Sequence, residues 1–181
     1  SGQYDTPADV LWVTGACLAV RASVWNSLEG LDDRFFAHME EIDLCWRMQL
    51  EGWKVTVIPE SMVYHLGGGT LPKNSPQKLY LNYRNNILLL DNNLARTIGR
   101  RRAALRTFCR KLLDGCSAMV YLLSFRMDFF RAVWRAHRDA SRLIAEKRSG
   151  NDAPDSHGRH KVAGIYGGCM IPRALLGIKI L

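Results

Sequence analysis

The chain has 181 residues, of which 48% are hydrophobic and 23% are charged. This composition supplies an ordinary apolar core and excludes a wholly disordered or collagen-like protein. The five cysteines are scattered without a Cys-x-x-Cys pair, so the sequence supports neither a zinc ribbon nor a disulfide framework and favours a reducing compartment. Because the chain does not begin with Met, we expect it to be a piece of a longer protein.

The net charge of +8 comes from one segment of the chain. Residues 1–94 hold 7 Lys/Arg and 11 Asp/Glu, a net charge of −4. Residues 95–148 hold 14 Lys/Arg and 4 Asp/Glu, a net charge of +10. We therefore expect an acidic globular part at 1–94, a basic helical region at 95–148, and a linker with an apolar tail at 149–181. The basic region predicts an anionic partner such as lipid headgroups, nucleic acid or phosphorylated substrates.

The first part has the pattern of a mixed α/β fold. Apolar, β-branched runs at residues 10–14 and 16–20 predict one strand broken at Gly15, or two short strands. Helices are predicted at residues 21–28, with Ser23 as the N-cap, and at 38–50, and they end at Gly30 and Gly52 respectively. Alternating apolar residues at 53–58 predict another strand, and the glycine-rich stretch after it is flexible enough to wrap a ligand.

The second part is predicted to be helical. Residues 78–92 have helical spacing, and apolar residues mixed with Arg and Lys over 94–147 predict two or three further helices. The longest uncharged stretch, residues 115–125, is well short of the ~20 residues needed to span a bilayer. A basic amphipathic helix can still lie in the membrane interface. The alternative is a helical hairpin with Phe108, Leu112, Phe129 and Trp134 buried against the first part, and the sequence alone leaves both open.

Candidate catalytic residues occur in the segment GLDDRFFAHMEEIDLCWR, residues 30–47. Glu40, Glu41 and Asp43 fall within one helical turn and follow the aromatic pair Phe35 and Phe36. Carboxylates grouped in this way can supply a general base. The same spacing is produced by an acidic helix N-terminus that the helix dipole stabilises, which is the more common case. Spacing alone does not decide between these two interpretations.

The ordered motifs over residues 8–95 resemble family 2 glycosyltransferases, particularly the bacterial rhamnosyltransferase-like branch. The matching motifs are WVTGACL-x-x-R at 12–21, GLD-x-x-FF-x-x-x-EE-x-DLC-x-R at 30–47, GW at 52–53, Pro59, and H-x-x-GGT at 65–70. The resemblance implies the C-terminal half of a GT-A domain, a Rossmann-like α/β/α sandwich, followed by a helical extension. The nucleotide-binding half of that family, with its Asp-x-Asp metal motif, has no counterpart here, so we expect the fragment to be inactive alone.

The resemblance also implies roles for the acids and for the loop that precedes them. Glu41 matches the second acid of the motif and is the expected base that deprotonates the acceptor hydroxyl, with Glu40 and Asp43 as alternatives. The loop Thr14, Gly15 and Ala16 is expected to border the acceptor and the donor sugar, where small residues let a substrate approach the backbone.

Three basic side chains complete the implied site. Arg47 and Arg84 are candidates for substrate binding, the latter through a phosphate. For Arg47 the alternative is an i,i+4 pair with Asp43, and for Arg84 it is a salt bridge to the domain. His65 matches a histidine that binds a divalent ion, Mg²⁺ or Mn²⁺, or the donor diphosphate.

The implied function is that of an inverting glycosyltransferase. It would move a sugar from a nucleotide-sugar donor to a glycan or lipid-linked acceptor, in bacterial cell-surface polysaccharide or glycolipid synthesis, at the cytoplasmic face of the membrane. The alternative from another class is a non-catalytic module that binds an anionic membrane surface through the basic region. No nucleic-acid-binding pattern is visible, and the sequence lacks the paired His or Cys residues that a metal hydrolase would need.

Overall fold

The computed structural model describes residues 5–65, 72 and 74–149, and most of these residues are helical. The two strands are β1 (Ala8–Asp9) and β2 (Thr56–Val57), each of two residues. The α-helices are α1 (Ala22–Ser27), α2 (Glu40–Leu50), α3 (Pro76–Ile98), α4 (Arg100–Leu123) and α5 (Met127–Ser149). Short 3₁₀ helices occur at Gly15–Cys17 and Asp33–Phe35.

The strands β1 and β2 pair antiparallel, with Ala8 opposite Val57. The strand predicted at 53–58 is therefore confirmed over two residues, whereas those predicted at 10–14 and 16–20 are wrong. The carbonyls of Val10 and Leu11 accept hydrogen bonds of 3.2 and 2.7 Å from the buried side-chain amide of Gln49 on α2. A helix side chain thus takes the place of a neighbouring strand. The predicted α/β/α half-domain is not confirmed by the described residues, which form a largely helical structure with one small sheet.

The start of α2 is set by backbone conformation. The helix begins at Glu40, two residues later than predicted, because His38 and Met39 have φ values of 70° and 72°. These left-handed values cannot continue into a right-handed helix. After α2, Gly52 adopts a φ of 85°, which confirms the predicted stop.

The other predicted helices differ from the structure mainly at their ends. In α1 the N-cap position is Arg21, so the predicted N-cap Ser23 is wrong. The third helix, α3, is longer at both ends than the predicted 78–92. It begins with Pro76 in its first turn, and the Ser75 hydroxyl oxygen accepts a hydrogen bond from the Lys78 N–H at 3.2 Å.

The helix α2 lies between two apolar clusters. One side packs with α1 and the segment around Val55, through Leu44, Cys45 and Met48. The other side packs with α3, α4 and α5, in a cluster formed by Phe35, Trp46, Leu50, Ile87, Leu88, Leu89, Leu94, Ala103 and Ala140. The predicted boundary at residue 94 falls inside α3, and residues on both sides of it share this cluster.

The basic region divides into a packed helix and an exposed one. In α5 the buried residues include Val133, Ala136 and Ala140, whereas the 24 residues of α4 bury only three. The hairpin alternative expected Phe108, Leu112, Phe129 and Trp134 to be buried, but Phe129 is half-buried and the exposures of the other three are 58%, 55% and 68%. None of the helices in the described part of the chain is long and apolar enough to cross a bilayer.

Two glycine substitutions test the backbone geometry. Gly30 has a φ of 68°, and a Cβ placed there would lie 2.8 Å from the Trp25 ring. We expect Gly30→Ala to lower the free energy of unfolding by about 1–3 kcal/mol because it combines backbone strain with overpacking. Gly115 lies within α4, and beyond its chain neighbours and the adjacent helix backbone no described atom comes within 4 Å of such a Cβ, so Gly115→Ala should raise stability by about 0.5–1 kcal/mol. Urea unfolding followed by circular dichroism measures both, and changes of the same sign would contradict the prediction.

Candidate functional site

Glu40 and Glu41 form the first turn of α2 and are half-buried. In each side chain the Oε2 atom is buried and has no hydrogen-bond partner among the described residues. Buried polar atoms are usually bonded, so two unpartnered carboxylate oxygens on neighbouring residues are unusual. Such an oxygen is able to accept a proton from a ligand that enters the site.

The 3₁₀ turn Gly15–Cys17 lies against Glu41. A Cβ placed on Gly15 would be 3.7 Å from the Glu41 Cβ, an ordinary van der Waals contact, so the turn lies directly against this side chain. The Thr14 hydroxyl oxygen accepts a hydrogen bond of 3.4 Å from the Ala16 N–H and caps the turn. The structure therefore brings the predicted substrate loop, Thr14 to Ala16, next to the predicted base.

Cys45 lies one helical turn after Glu41 and is fully buried. Burial raises the pKa of the Cys45 thiol, a backbone hydrogen bond at Val13 lowers it in part, and the Glu41 charge raises it further. The thiol therefore stays protonated and behaves as a small apolar group beside Glu41.

Asp43 is placed differently from the two glutamates. Its side chain is fully buried, and its Oδ1 accepts hydrogen bonds from the amides of Asn92 at 2.9 Å and Asn93 at 2.7 Å. Its Oδ2 accepts a bond of 2.6 Å from the Arg47 Nε. Both oxygens are therefore occupied by protein donors, which leaves a substrate hydroxyl no access to Asp43. The structure favours Glu40 and Glu41 over this third predicted acid.

Arg47 joins α2 to the end of α1. The i,i+4 pair with Asp43 is confirmed, and the Nη1 and Nη2 atoms donate to the carbonyls of Leu28 at 2.7 Å and Gly30 at 2.8 Å. Each nitrogen of the guanidinium already makes a bond within the protein. This arrangement favours a positioning role for Arg47 over the predicted substrate contact.

The Arg84 side chain also donates hydrogen bonds to backbone carbonyls. Its Nη2 donates to the carbonyls of Arg34 at 2.9 Å and Phe35 at 2.7 Å, and its Nε donates to the Asn85 side chain at 2.9 Å. The salt bridge considered from the sequence is not formed with these partners. The predicted contact with a substrate phosphate stays a prediction.

The fully buried Asn85 fixes the segment that leads into α2. Its amide donates to the carbonyls of Phe35, Ala37 and His38 at 3.0, 2.7 and 2.7 Å. These carbonyls lie in a stretch that includes left-handed residues and so cannot bond within a helix. Asn85, on α3, therefore holds the backbone directly before the glutamates at the start of α2.

His65 is exposed, and residues 66–71 beside it lie outside the described part of the chain. Within the described residues, no three His, Cys, Asp or Glu side chains are arranged to hold a metal ion. These residues by themselves do not fit a metal centre, so the Mg²⁺ or Mn²⁺ requirement stays a prediction and no chemical step is derived through a metal.

Sequence reasoning assigned no positioning role to several polar residues near the site. His38 has a buried Nε2 atom without a partner in the described structure, directly before the glutamates. Asn85 and Asn92 are seven residues apart, a spacing of two helical turns that puts both amides on one face of α3. This repeat of amides within an apolar helix was the available signal.

A second polar cluster ties the turn before α2 to α3. Arg34 forms an ion pair with Asp32 and donates to Asn92 Oδ1 at 2.7 Å. The Asn92 amide in turn bridges Asp32 at 3.1 Å and Asp43 at 2.9 Å. Burial alone would raise the pKa of Asp32, but the hydrogen bonds and charge of Arg34, together with Asn92, lower it to about 2.

A short part of the chain is similar to rhamnosyltransferases. A stretch of 54 residues, 30% of this chain, is 39% identical to N-acetylglucosaminyl-diphospho-decaprenol L-rhamnosyltransferase of Mycobacterium tuberculosis and covers 18% of that protein. A stretch of 61 residues, 34% of the chain, is 34% identical to Rhamnosyltransferase WbbL of Escherichia coli and covers 22% of it. No protein-family model matches the chain, and no solved structure matches it. These partial similarities support assignment to the broad class of glycosyltransferases and to no particular family.

The pH dependence of stability tests the Asp32 cluster. Because the pKa of Asp32 in the folded state is about 2, below its ordinary value of 3.8, the ionised carboxylate stabilises the fold at neutral pH. This contribution, about 2 kcal/mol, should be lost as the pH falls from about 4 towards 2. We expect Asp32→Asn to lower the free energy of unfolding by that amount at neutral pH, with the deficit shrinking in acid. The exposed neighbour supplies the control, Asp33→Asn, and an equal loss for both variants would exclude this role of Asp32.

Proposed function

We propose that the chain is part of an inverting family 2 glycosyltransferase of the rhamnosyltransferase-like branch. The observation that carries the proposal is the environment of Glu41, half-buried at the start of α2 with an unpartnered Oε2 beside the Gly15 turn. A base must have an oxygen free of protein donors, and the Oε2 of Glu41 meets this condition among the described residues. The partial similarity to two rhamnosyltransferases supports the same class.

In the proposed reaction, Glu41 is the general base. Its carboxylate takes the proton from an acceptor hydroxyl as the hydroxyl oxygen attacks the anomeric carbon of the donor sugar. The bond from that carbon to the diphosphate oxygen breaks, the electron pair leaves with the nucleoside diphosphate, and the configuration at the carbon inverts. Glu40, with the same kind of unpartnered oxygen, is the alternative base.

The surrounding polar contacts serve to hold the base in place. Asn85 and Arg84 fix the backbone before α2, while Asp43 and Arg47 fix the helix itself. None of these bonds involves the Oε2 of Glu41, so the helix is held without neutralising the group that reacts. Rigid placement of a base contributes to catalysis because less order must be created in the transition state.

The acceptor class follows from the mycobacterial relative. Its name describes transfer to an N-acetylglucosaminyl group linked through diphosphate to decaprenol. We therefore propose a polyprenyl-diphosphate-linked sugar as the acceptor and a nucleotide-activated sugar, such as L-rhamnose, as the donor. The product would enter a bacterial cell-surface polysaccharide or glycolipid.

Replacement of Glu41 tests this proposal. In the natural full-length protein, Glu41→Gln should lower kcat by about 10² to 10⁴, because the amide keeps the size of the side chain but cannot take the proton. Donor binding should change little, since the side chain acts on the acceptor. The measurement is transfer of radiolabelled sugar from the nucleotide donor to a polyprenyl-diphosphate acceptor, with donor affinity measured separately by calorimetry.

The matched control for this substitution is Glu60→Gln, at an exposed glutamate in the loop after β2. It should leave turnover unchanged. Near-normal turnover of Glu41→Gln would remove Glu41 from the role of base, and Glu40→Gln would then be tested in the same assay. Absence of any sugar transfer by the unmodified full-length protein would reject the proposed class.

A further inference from the structure

One side of α4 is apolar along its length and is not covered by the described residues. The buried residues of α4, Ala103, Asp114 and Ala118, lie on the side that faces the protein. The opposite side carries the α4 face, defined as Leu105, Phe108, Leu112, Met119, Val120 and Leu123, with exposures of 63%, 58%, 55%, 50%, 61% and 74%. Large apolar side chains in a contiguous stripe of this kind mark an interaction surface.

The apolar surface extends around the turn into α5. Phe125, two residues after Leu123, is 92% exposed, and Met127 at the start of α5 is 40% exposed. Phe125 has a φ of 55°, a strained value for a bulky residue, and its ring is left in solvent. An exposed aromatic ring and a strained backbone do not stabilise the isolated chain. Phe125 therefore points to a contact with another molecule.

The charges around the α4 face are almost all positive. Residues 100–102 are three exposed arginines in the first turn of α4, and Lys111 is exposed near its middle. Positive charge at a helix N-terminus opposes the helix dipole, so these arginines do not serve helix stability. The one acid in α4, Asp114, is 2% exposed and is paired with Arg110 Nε at 2.7 Å. The exposed part of α4 therefore presents only apolar and cationic groups.

This combination selects one kind of occupant. In an anionic bilayer the apolar side chains enter the boundary of the acyl chains while the arginines contact the headgroups, so both parts of the surface are satisfied. A second copy of the chain would cover the apolar stripe but would offer the arginines no acid from its own α4, because Asp114 is buried and paired. A nucleic acid would neutralise the arginines but would leave the apolar stripe uncovered.

We propose that α4 lies in the surface of an anionic membrane, with the α4 face and Phe125 inserted and the flanking arginines on the headgroups. The helix α5 is held to α3, in part by a buried hydrogen bond of 2.9 Å from the Tyr80 hydroxyl to Asp139, so it stays with the protein. The exposed large apolar residues of α5 are Met127 and Trp134, against the six of the α4 face, so α4 and the following turn form the inserted element. This proposal does not depend on the glycosyltransferase activity.

The test is co-sedimentation of the 181-residue chain with vesicles. Vesicles of phosphatidylglycerol and phosphatidylcholine in equal parts should bind the chain at low salt, pure phosphatidylcholine vesicles should bind it far less, and added salt should release it. The paired substitution Leu112→Gln with Met119→Gln should weaken binding by about tenfold or more, since two inserted side chains are lost. A failure to bind the anionic vesicles at low salt overturns the proposal.

Two matched controls separate the α4 face from general properties of the chain. Ile58→Gln with Met62→Gln removes two apolar residues, 60% and 80% exposed outside α4, and should leave binding unchanged. Arg101→Gln should weaken binding about fivefold. An exposed arginine of α5 provides the charge control, Arg142→Gln, which should have no comparable effect. Equal losses in the test and control variants would assign binding to overall hydrophobicity or charge and overturn the role of α4.

Two further measurements keep the result decisive. Relative to the unmodified chain with its five Trp, Leu112→Trp should increase the fluorescence that brominated lipids quench, whereas Ile58→Trp should not. Analytical ultracentrifugation should find a monomer. A dimer that is broken by the Leu112→Gln and Met119→Gln pair, without vesicle binding by the unmodified chain, would make a second copy the occupant and overturn the membrane proposal.

Discussion

The buried carboxylate of Asp43 is the contact on which the arrangement of the helices depends. An isolated buried charge is strongly unfavourable, so Asp43 must keep its bonds to Arg47 within α2 and to Asn92 and Asn93 on α3. Arg47 then holds the carbonyls of Leu28 and Gly30 after α1. One carboxylate thus links three parts of the chain, and displacement of any of them would leave a buried polar group unpaired.

The hydrogen bonding around the start of α2 explains why Glu40 and Glu41 each keep an unpartnered oxygen. The start of α2 has no side-chain cap, because Met39 in the N-cap position is left-handed and provides no hydrogen-bond acceptor in its side chain. Its approach is held from outside by Asn85 and Arg84. Glu40 and Glu41 do not cap the helix, and each keeps a buried Oε2 without a partner among the described residues.

The sequence predicted those features of the fold that depend on neighbours along the chain. Helical spacing located α2, glycine marked its end at Gly52, and the i,i+4 rule found the pair of Arg47 with Asp43. The apolar run at residues 10–14 was misread as a strand because its side chains pack on α2 while its carbonyls bond to Gln49, a residue 38 positions away. The approach of Gly15 to Glu41 was expected only from the family resemblance, since local periodicity carries no information on such long-range contacts.

The acids of the first part and the arginines at the start of α4 differ in how many of them are paired within the protein. Several acids of the first part are neutralised within the protein, including Asp32 by Arg34, Asp43 by Arg47, and Glu51 by Arg96. The arginines at 100–102, in contrast, are exposed on α4. Pairs inside residues 1–94 remove acids and bases in equal number, so this part keeps its acidic excess, while the arginines at 100–102 add positive charge that faces solvent. For this reason the arginines at the start of α4 should contribute to the attraction of an anionic surface, and Glu40 and Glu41 differ from the exposed acids of the first part because each keeps a buried oxygen without a partner in the described structure.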